Sequence, residues 1–222
     1  SACEKSGGWD KALGLLAEMA LARVELDTIT YGAAVSVCEK GSQWAKAVAL
    51  LIDMSASHVE PDAITYGAAF SACEKGGKWE VALALLVDMH TARVKSDTIT
   101  YNAAISACEK GGQWAPAVAL LIDMSASHVE LDTITYNAAV GSCEKGSEWA
   151  KALGLLTEMA ARHVELNTIT YSAAVSACEK GGEWAKALGL LIDMSAGHVE
   201  SNTITYNAAV SACEKGGKWS QA

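Results

Sequence analysis

The sequence predicts an all-α fold in which helical hairpins stack as a solenoid, and three observations support this prediction. Seven cysteines recur every 35 residues, from Cys3 to Cys213, and seven tryptophans keep the same spacing, from Trp9 to Trp219. Each 35-residue unit also carries two helical patterns of apolar residues. A strict period of this length is typical of repeat arrays, in which each unit buries its apolar face against its neighbours.

The period organises the whole chain, residues 1–222, as a single array. Residues 1–27 supply the last part of one repeat, and residues 203–222 begin another. The complete repeats are residues 28–62, 63–97, 98–132, 133–167 and 168–202. Because the chain begins and ends within a repeat, we expect it to be part of a longer array.

The first helix of each repeat is illustrated by the repeat that begins at Thr98. Its apolar residues follow the i, i+3, i+4, i+7 spacing of one helical face. They are Tyr101, Ala104, Ile105 and Cys108. Asp97 or Thr98 is expected to cap the N-terminus. Gly111 and Gly112 are expected to end the helix, because glycine readily takes the left-handed conformation of a C-terminal cap.

The second helix begins directly after these glycines and again has one apolar stripe. The stripe consists of Trp114, Ala117, Val118, Leu121 and Met124. Pro116 falls in the first turn, where a missing N–H costs no intrahelical hydrogen bond. Aromatic and thioether side chains on an inner stripe usually fill core volume, so we predict no cofactor site among them.

The composition excludes several classes of protein. Apolar residues make up 51% of the chain, but no uncharged apolar run approaches the ~20 residues of a membrane span, so we expect no membrane partner. The net charge is −9, so a nucleic-acid-binding surface would have to be a local row of basic residues on a protein that is acidic overall.

Neither the cysteines nor the histidines are predicted to bind metal. No CxxC pair occurs, and the histidines recur in register as a ladder, whereas zinc needs ligands around one point. These histidines are His58, His128, His163 and His198. The cysteines are expected to be small core residues in a reducing compartment. The chain has no paired nucleophile and base and no phosphate-binding loop, so we predict that it is not an enzyme and has no small-molecule substrate.

The repeat that begins at Thr98 has the form T-Y-N-x-x-I-x-x-C-x-K-x-G, then A-x-x-L-x-x-M and a closing Asp, and the other repeats follow this form with a few substitutions and without insertion or deletion. This pattern resembles the pentatricopeptide repeat family, and the uniform repeat length is similar to its uniform (P-type) class. The tetratricopeptide repeat has 34 residues and a different pattern. The resemblance implies a right-handed α-solenoid that binds single-stranded RNA, one nucleotide per repeat, in a chloroplast or mitochondrion.

The resemblance also implies two base-reading residues per repeat, the residue after the tyrosine and the last residue of the repeat. They pair as Gly32 with Asp62, Gly67 with Asp97, Asn102 with Asp132, Asn137 with Asn167, and Ser172 with Asn202, while Asn207 has no partner in the chain. In the family's code, Asn with Asp resembles a uracil reader, Asn with Asn a pyrimidine reader leaning to cytosine, and Ser with Asn an adenine reader. The implied target is 5′-(G/U)(G/U)-U-(C/U)-A-3′.

The repeats themselves single out the same two slots. The residue after the tyrosine is Gly, Asn or Ser within a constant frame, and the closing residue is always Asp or Asn. A carboxylate accepts a ring N–H, as in U or G, whereas an amide also donates, as the bare ring nitrogen of A or C requires. The alternative is that the closing residues only cap the next helix.

Two further ladders are compatible with a nucleotide track. An isoleucine two residues before each tyrosine either wedges between bases, as the resemblance favours, or packs in the core. These residues are Ile29, Ile64, Ile99, Ile134, Ile169 and Ile204. A lysine at the end of each first helix either contacts a phosphate or complements the helix dipole. The candidates are Lys40, Lys75, Lys110, Lys145 and Lys180.

A glutamate directly precedes each of these lysines. Because one residue rotates a helical side chain by about 100°, we expect the glutamates to point elsewhere and to leave the lysines a face of their own.

The main hypothesis is a sequence-selective, single-stranded RNA-binding module that acts by occupying a transcript, in organellar RNA processing, stability or translation. The alternative is a protein-interaction scaffold that grips a peptide or partner helix, as other helical solenoids do. The excess of acidic over basic residues favours this alternative, so protein partners are kept as the second hypothesis.

Overall fold

A computed structural model of the chain describes residues 7–217, and within that range the chain forms twelve α-helices and no strands. The helices are α1 Gly7–Leu21, α2 Thr28–Lys40, α3 Trp44–Ala56, α4 Ala63–Gly76, α5 Trp79–Thr91, α6 Thr98–Lys110, α7 Trp114–Ala126, α8 Thr133–Lys145, α9 Trp149–Ala161, α10 Thr168–Lys180, α11 Trp184–Ala196 and α12 Thr203–Lys215. The even-numbered helices open the repeats and are called A helices, and the odd-numbered ones are called B helices. Cys3 and Trp219, the two ends of the sequence ladders, lie outside the described residues.

The chain divides into two compact units, residues 1–107 and 108–222, with the boundary inside α6. In the first unit, α2 packs on α1, α3 and α4, and α4 also packs on α3 and α5. In the second unit, α10 packs on α8, α9, α11 and α12, and α8 packs on α7 and α9. In both units an A helix contacts the next A helix and the B helices on either side of it. The predicted all-α stack of helical hairpins is confirmed.

The core of each repeat lies between its A and B helices. Tyr136, Cys143 and Met159 are fully buried in the fourth complete repeat, and their equivalents in the other complete repeats are almost all as deeply buried. Burial raises the pKa of the Cys143 thiol to about 11, so the thiol is protonated and packs as an apolar group. The prediction that the cysteines are small core residues is confirmed for those described.

In three repeats the buried tyrosine of the A helix donates a hydrogen bond to a carboxylate of the B helix. Tyr66 Oη donates to Asp88 Oδ2 at 2.7 Å, and Tyr31 Oη donates to Asp53 Oδ2 at 2.8 Å. In the fourth repeat a glutamate replaces the aspartate and accepts from the tyrosine at 2.9 Å. Hydrogen bonds to charged groups are among the stronger ones in folded proteins, so this contact fixes the two helices of a hairpin against each other.

The histidine ladder lies at the C-terminal ends of the B helices. His58 has a left-handed backbone with φ of 58°, and its N–H donates to Ser55 O, while Val59 N–H donates to Met54 O. This pair of bonds is the Schellman arrangement that closes a helix. The left-handed residue is basic in each B helix: Arg23, His58, Arg93, His128, His163 and His198.

Metal clusters and membrane spans are both absent from the part of the chain that the structure describes. Between residues 7 and 217 no three His, Cys, Asp or Glu side chains are grouped so that they could hold a metal ion. No helix in this range is both long enough and apolar enough to cross a bilayer.

The paired positions that end each A helix have separate roles, which corrects the sequence prediction. The second position is left-handed, with φ of 66° at Gly112, as expected. The first is not, since φ is −79° at Gly146. There, a Cβ would lie 2.6 Å from Cδ1 of Trp114, closer than any real contact allows. Glycine is required at the first position because the tryptophan of the preceding repeat lies against the backbone.

We predict that Gly146→Ala destabilises the protein by about 1–3 kcal/mol, because the new methyl group overpacks the indole of Trp114. Gly154→Ala is the matched control. The added Cβ would meet nothing within 4 Å, and the same position holds alanine at Ala49 and Ala84. Because glycine disfavours a helix interior, the control is expected to gain roughly 0.5–1 kcal/mol. Urea unfolding followed by circular dichroism measures both, and equal effects would contradict the assigned role of the glycine.

Candidate nucleic-acid interface

The residues singled out by the sequence lie at the N-terminal ends of the A helices. In α8, Ile134 is the second residue and Asn137 the fifth, and Asp132 is the N-cap. The same arrangement recurs in every A helix, because the repeats have one length. The isoleucine and the residue after the tyrosine are three apart, so they lie on the same helical face.

The closing residue of each repeat caps the next A helix. Its Oδ1 atom accepts the backbone N–H of the threonine three residues later, at 2.8–3.0 Å. The capping residues are Asp27, Asp62, Asp97, Asp132, Asn167 and Asn202. Asp97, rather than Thr98, is therefore the cap of its helix, and all six closing residues cap the helix that follows.

The cap uses Oδ1 of the closing residue in every repeat, so only the other terminal atom of that side chain differs between repeats. The threonine hydroxyl also donates to the same Oδ1, at 2.7 Å in Asp62 and 3.0 Å in Asn167. With Oδ1 engaged in both residue types, the remaining terminal atom is a carboxylate oxygen in aspartate and an amide nitrogen in asparagine. The cap is thus the same in every repeat, while the other atom changes from an acceptor to a donor.

The predicted reader pair Asn137 and Asn167 meets directly. Asn137 Nδ2 donates to Asn167 Oδ1 at 3.4 Å, and the single proton of the Thr170 hydroxyl is shared between Asn137 Oδ1 and Asn167 Oδ1. The residue after the tyrosine in one repeat and the residue that closes it therefore lie together, although 30 residues separate them in the chain.

A threonine bridges the two slots in other repeats as well. Ser172 Oγ lies 2.6 Å from Thr205 Oγ1, which donates to Asn202 Oδ1 at 2.8 Å. A Cβ on Gly32 would lie 3.1 Å from Thr65 Oγ1, the hydroxyl that donates to Asp62.

The remaining predicted readers are Gly67, Asp97, Asn102, Asp132 and Asn207. A side chain at Gly67 would enter open space, and Asp97 caps α6 in the same unit. Asn102 and Asp132 fall in different units. Asn207 is exposed near the end of the described residues.

Sequence reasoning missed the bridging threonine. It directly precedes the tyrosine and is buried in most repeats; its positions are Thr30, Thr65, Thr100, Thr135, Thr170 and Thr205. The signal was present, because this residue is threonine before every tyrosine. A constant polar residue among apolar ones indicates a hydrogen-bonding role.

The isoleucine ladder is exposed, so the core alternative is wrong. The six side chains, Ile29, Ile64, Ile99, Ile134, Ile169 and Ile204, are 63–81% exposed. Exposed apolar side chains at one position of every repeat form a row beside the reader slots. Such a row offers apolar edges against which flat groups can pack.

The lysines do not have a face of their own, which corrects the sequence prediction. Lys75, Lys145 and Lys180 each pair with the glutamate at the end of the preceding A helix: Glu39 at 2.8 Å, Glu109 at 3.4 Å and Glu144 at 3.0 Å. The rotation of about 100° between successive side chains holds within a single helix, whereas these contacts join neighbouring helices. Lys40 and Lys110 are exposed at the equivalent positions.

Comparisons with known proteins agree with this geometry. The model described as "Pentatricopeptide repeat domain" matches residues 49–111 and 154–215, and the model "PPR repeat" matches residues 99–129 and 134–164. These matches cover more than half of the chain, which therefore belongs to the pentatricopeptide repeat family. A search of curated proteins finds no match.

Solved structures of the same fold include the pentatricopeptide repeat protein PPR10 from maize, with a TM-score of 0.60, 20% identity, and coverage of 96% of this chain and 36% of that one. PPR10 in complex with an 18-nt psaJ RNA element matches with a TM-score of 0.50 and 18% identity, over 97% of this chain and 36% of that one. The PPR domain of Arabidopsis thaliana protein-only RNase P 1, in complex with tRNA, matches with a TM-score of 0.68 and 12% identity, over 85% of this chain and 95% of that domain. This chain thus spans about a third of PPR10.

Capping and base reading can be separated by substitution at Asn167. Asn167→Ala removes the cap and is expected to cost about 1 kcal/mol of unfolding free energy. Asn167→Asp keeps the Oδ1 acceptor that Asp132 uses for the same cap, and is expected to change stability by less than roughly 0.5 kcal/mol. Chemical denaturation of both variants tests this, and a loss in Asn167→Asp as large as that in Asn167→Ala would contradict the shared cap geometry.

Proposed function

We propose that this chain is a sequence-selective module for single-stranded RNA that binds one nucleotide per repeat. The main support for this proposal is the last residue of each repeat. Its Oδ1 atom is held by the cap, so the choice of aspartate or asparagine changes the second terminal atom without changing the fold. An acceptor suits the ring N–H of U or G, and a donor suits the ring nitrogen of A or C.

The surroundings of this slot support the same function. The residue after the tyrosine lies beside it, within reach of the same base edge, and the exposed isoleucines of successive repeats flank it. Unpaired bases offer both an edge for hydrogen bonds and flat faces for apolar contact, which is how single strands are recognised. PPR10 and the PPR domain of protein-only RNase P 1 are solved in complex with RNA.

The proposed target is 5′-(G/U)(G/U)-U-(C/U)-A-3′, from the repeat that closes at Asp62 to the repeat that closes at Asn202. Its third and fourth nucleotides are assigned to Asn102 with Asp132 and to Asn137 with Asn167. The module acts by occupancy without catalysis, in organellar RNA processing, stability or translation, in a chloroplast or mitochondrion.

The second candidate function is a protein-interaction scaffold. The B helices also expose apolar side chains at one position, among them Ile52 and Val87 in the first unit and Ile122 and Ile192 in the second. Together with the net charge of −9, this exposed row favours a basic, amphipathic protein partner over a polyanion. Lack of RNA binding would favour this function.

We predict that the protein binds a labelled strand containing GGUCA more tightly than a strand of the same composition in permuted order. Fluorescence anisotropy across a salt series measures both affinities. Each phosphate neutralised on a single strand contributes roughly −0.7 to the slope of log affinity against log salt, so three to five lysines predict a slope of about −2 to −3.5. Equally weak binding of the target, the permuted strand and homopolymers would contradict the RNA-binding proposal.

We further predict that Asn167→Asp changes the preference at the fourth nucleotide alone, from C toward U, by about three- to tenfold, the effect of one hydrogen bond. Four strands that differ only at this nucleotide measure the change. Asn202→Asp is the matched control, because it makes the same exchange in the next repeat and should shift only the fifth nucleotide, away from A. If both variants shift the same nucleotide or neither shifts any, the assignment of one closing residue to each base is wrong.

A further inference from the structure

The ends of the A helices carry a ladder of ion pairs that the sequence analysis did not predict. Within the described residues, each pair joins the glutamate of one repeat to the lysine of the next: Glu39 with Lys75, Glu109 with Lys145, Glu144 with Lys180, and Glu179 with Lys215. We call this set the glutamate–lysine ladder. Three of its four pairs are 2.8–3.0 Å long, and the pair of Glu109 is 3.4 Å.

The glutamates are the more firmly held partners in the ladder. Their side chains are 20–32% exposed, against 38–53% for the lysines. Ser211 Oγ donates to Glu179 Oε1 at 2.9 Å, beside the bond from Lys215 Nζ at 2.9 Å. Partial burial tends to raise the pKa of the Glu179 carboxyl, but the bonds from Lys215 and Ser211 outweigh this and lower it. The carboxylate therefore stays ionised at neutral pH.

In the fourth repeat a glycine replaces this serine. Gly141 stands where Ser211 stands in α12, and a Cβ there would lie 3.0 Å from the Glu109 carboxylate. The carboxylate occupies the space of the missing side chain, and its bond to Lys145 is the longest of the ladder. The glutamates thus lie in the groove between consecutive A helices, beside the lysines.

The lysines lie on the same face of the A helix as the exposed isoleucines. In α8, Lys145 follows Ile134 by eleven residues, which is about 20° of rotation and about 16 Å of rise. A strand whose bases lie between the isoleucines can therefore run its backbone along the same face, toward the lysines. Each phosphate that approaches a lysine meets the carboxylate that already neutralises it.

We propose that the glutamate row of the glutamate–lysine ladder is an internal competitor of RNA phosphate, which lowers the affinity of the module for RNA of any sequence. This inference rests on the proposed function. Exposed ion pairs contribute little to stability, so the lysines can be released to a phosphate. The displaced carboxylate then remains beside the strand and repels it.

The competitor role is tested with Glu144→Gln combined with Glu179→Gln, which removes the two carboxylates that hold Lys180 and Lys215. The RNA affinity of this ladder variant should rise about three- to tenfold at low salt, for the target and permuted strands alike. The salt slope should steepen by up to about 1.4, because the two lysines no longer divide their contacts between a carboxylate and a phosphate, at roughly 0.7 each.

The matched control is Glu148→Gln combined with Glu183→Gln. It removes the same number of charges from the same two repeats, at a position where the chain itself has glutamine in Gln43 and Gln113. Neither glutamate makes a side-chain cap bond to its helix. The control should raise affinity by less than about twofold, the general effect of a less acidic body.

A second experiment combines Glu144→Gln and Glu179→Gln with Lys180→Met and Lys215→Met. Without these lysines the gain in RNA affinity should disappear. If the ladder variant binds RNA no more tightly than the control, or more weakly than the unchanged protein, the competitor role is overturned. If neither the protein nor any variant binds the target strand, the proposed function itself fails. Circular dichroism confirms folding, and Glu179→Gln alone repeats the comparison if the double variant loses helix.

Discussion

The contact between a tryptophan and the glycine that ends the first helix of the next repeat constrains the structure within both units. The indole of Trp114 lies so close to the backbone at Gly146 that no side chain fits between them. The same contact is made by Trp9 with Gly41 and by Trp44 with Gly76 in the first unit. Because the tryptophan opens a B helix and the glycine ends the next A helix, insertion of a residue between them would separate the pair. This contact accounts for a repeat length that never varies.

A constant repeat length matters because it places equivalent residues at the N-terminal end of every A helix. Each of these ends holds the same arrangement: a capping Asp or Asn, an exposed isoleucine, and a threonine that joins the cap to the preceding repeat. Asp and Asn have nearly the same shape and make the same cap. The chemistry of the slot can therefore change from repeat to repeat without a change in packing, which is the property that a base-by-base reader requires.

Much of the fold could be predicted from local spacing. The helical faces, the burial of Tyr101 and Cys108, and the cap at Asp97 all depend on residues within one or two turns of each other, and these predictions are confirmed. The role of the first glycine and the direction of the glutamates were predicted wrongly. Both depend on contacts between repeats, about 32 to 36 residues apart, which helical periodicity does not describe. The bridging threonine was missed for the same reason, although its constancy was visible.

The sequence by itself determined the repeat length, the two helices of each repeat and the slots at which the repeats differ, because a period and its exceptions can be read from the order of residues. Only the tertiary structure decided how those slots are arranged. It showed that Oδ1 of the closing residue is engaged by the cap, that Asn137 meets Asn167, that the isoleucines are exposed, and that Glu144 neutralises Lys180. Each of these facts depends on how one helix lies against the next, since stacking brings together side chains that the chain itself holds a full repeat apart.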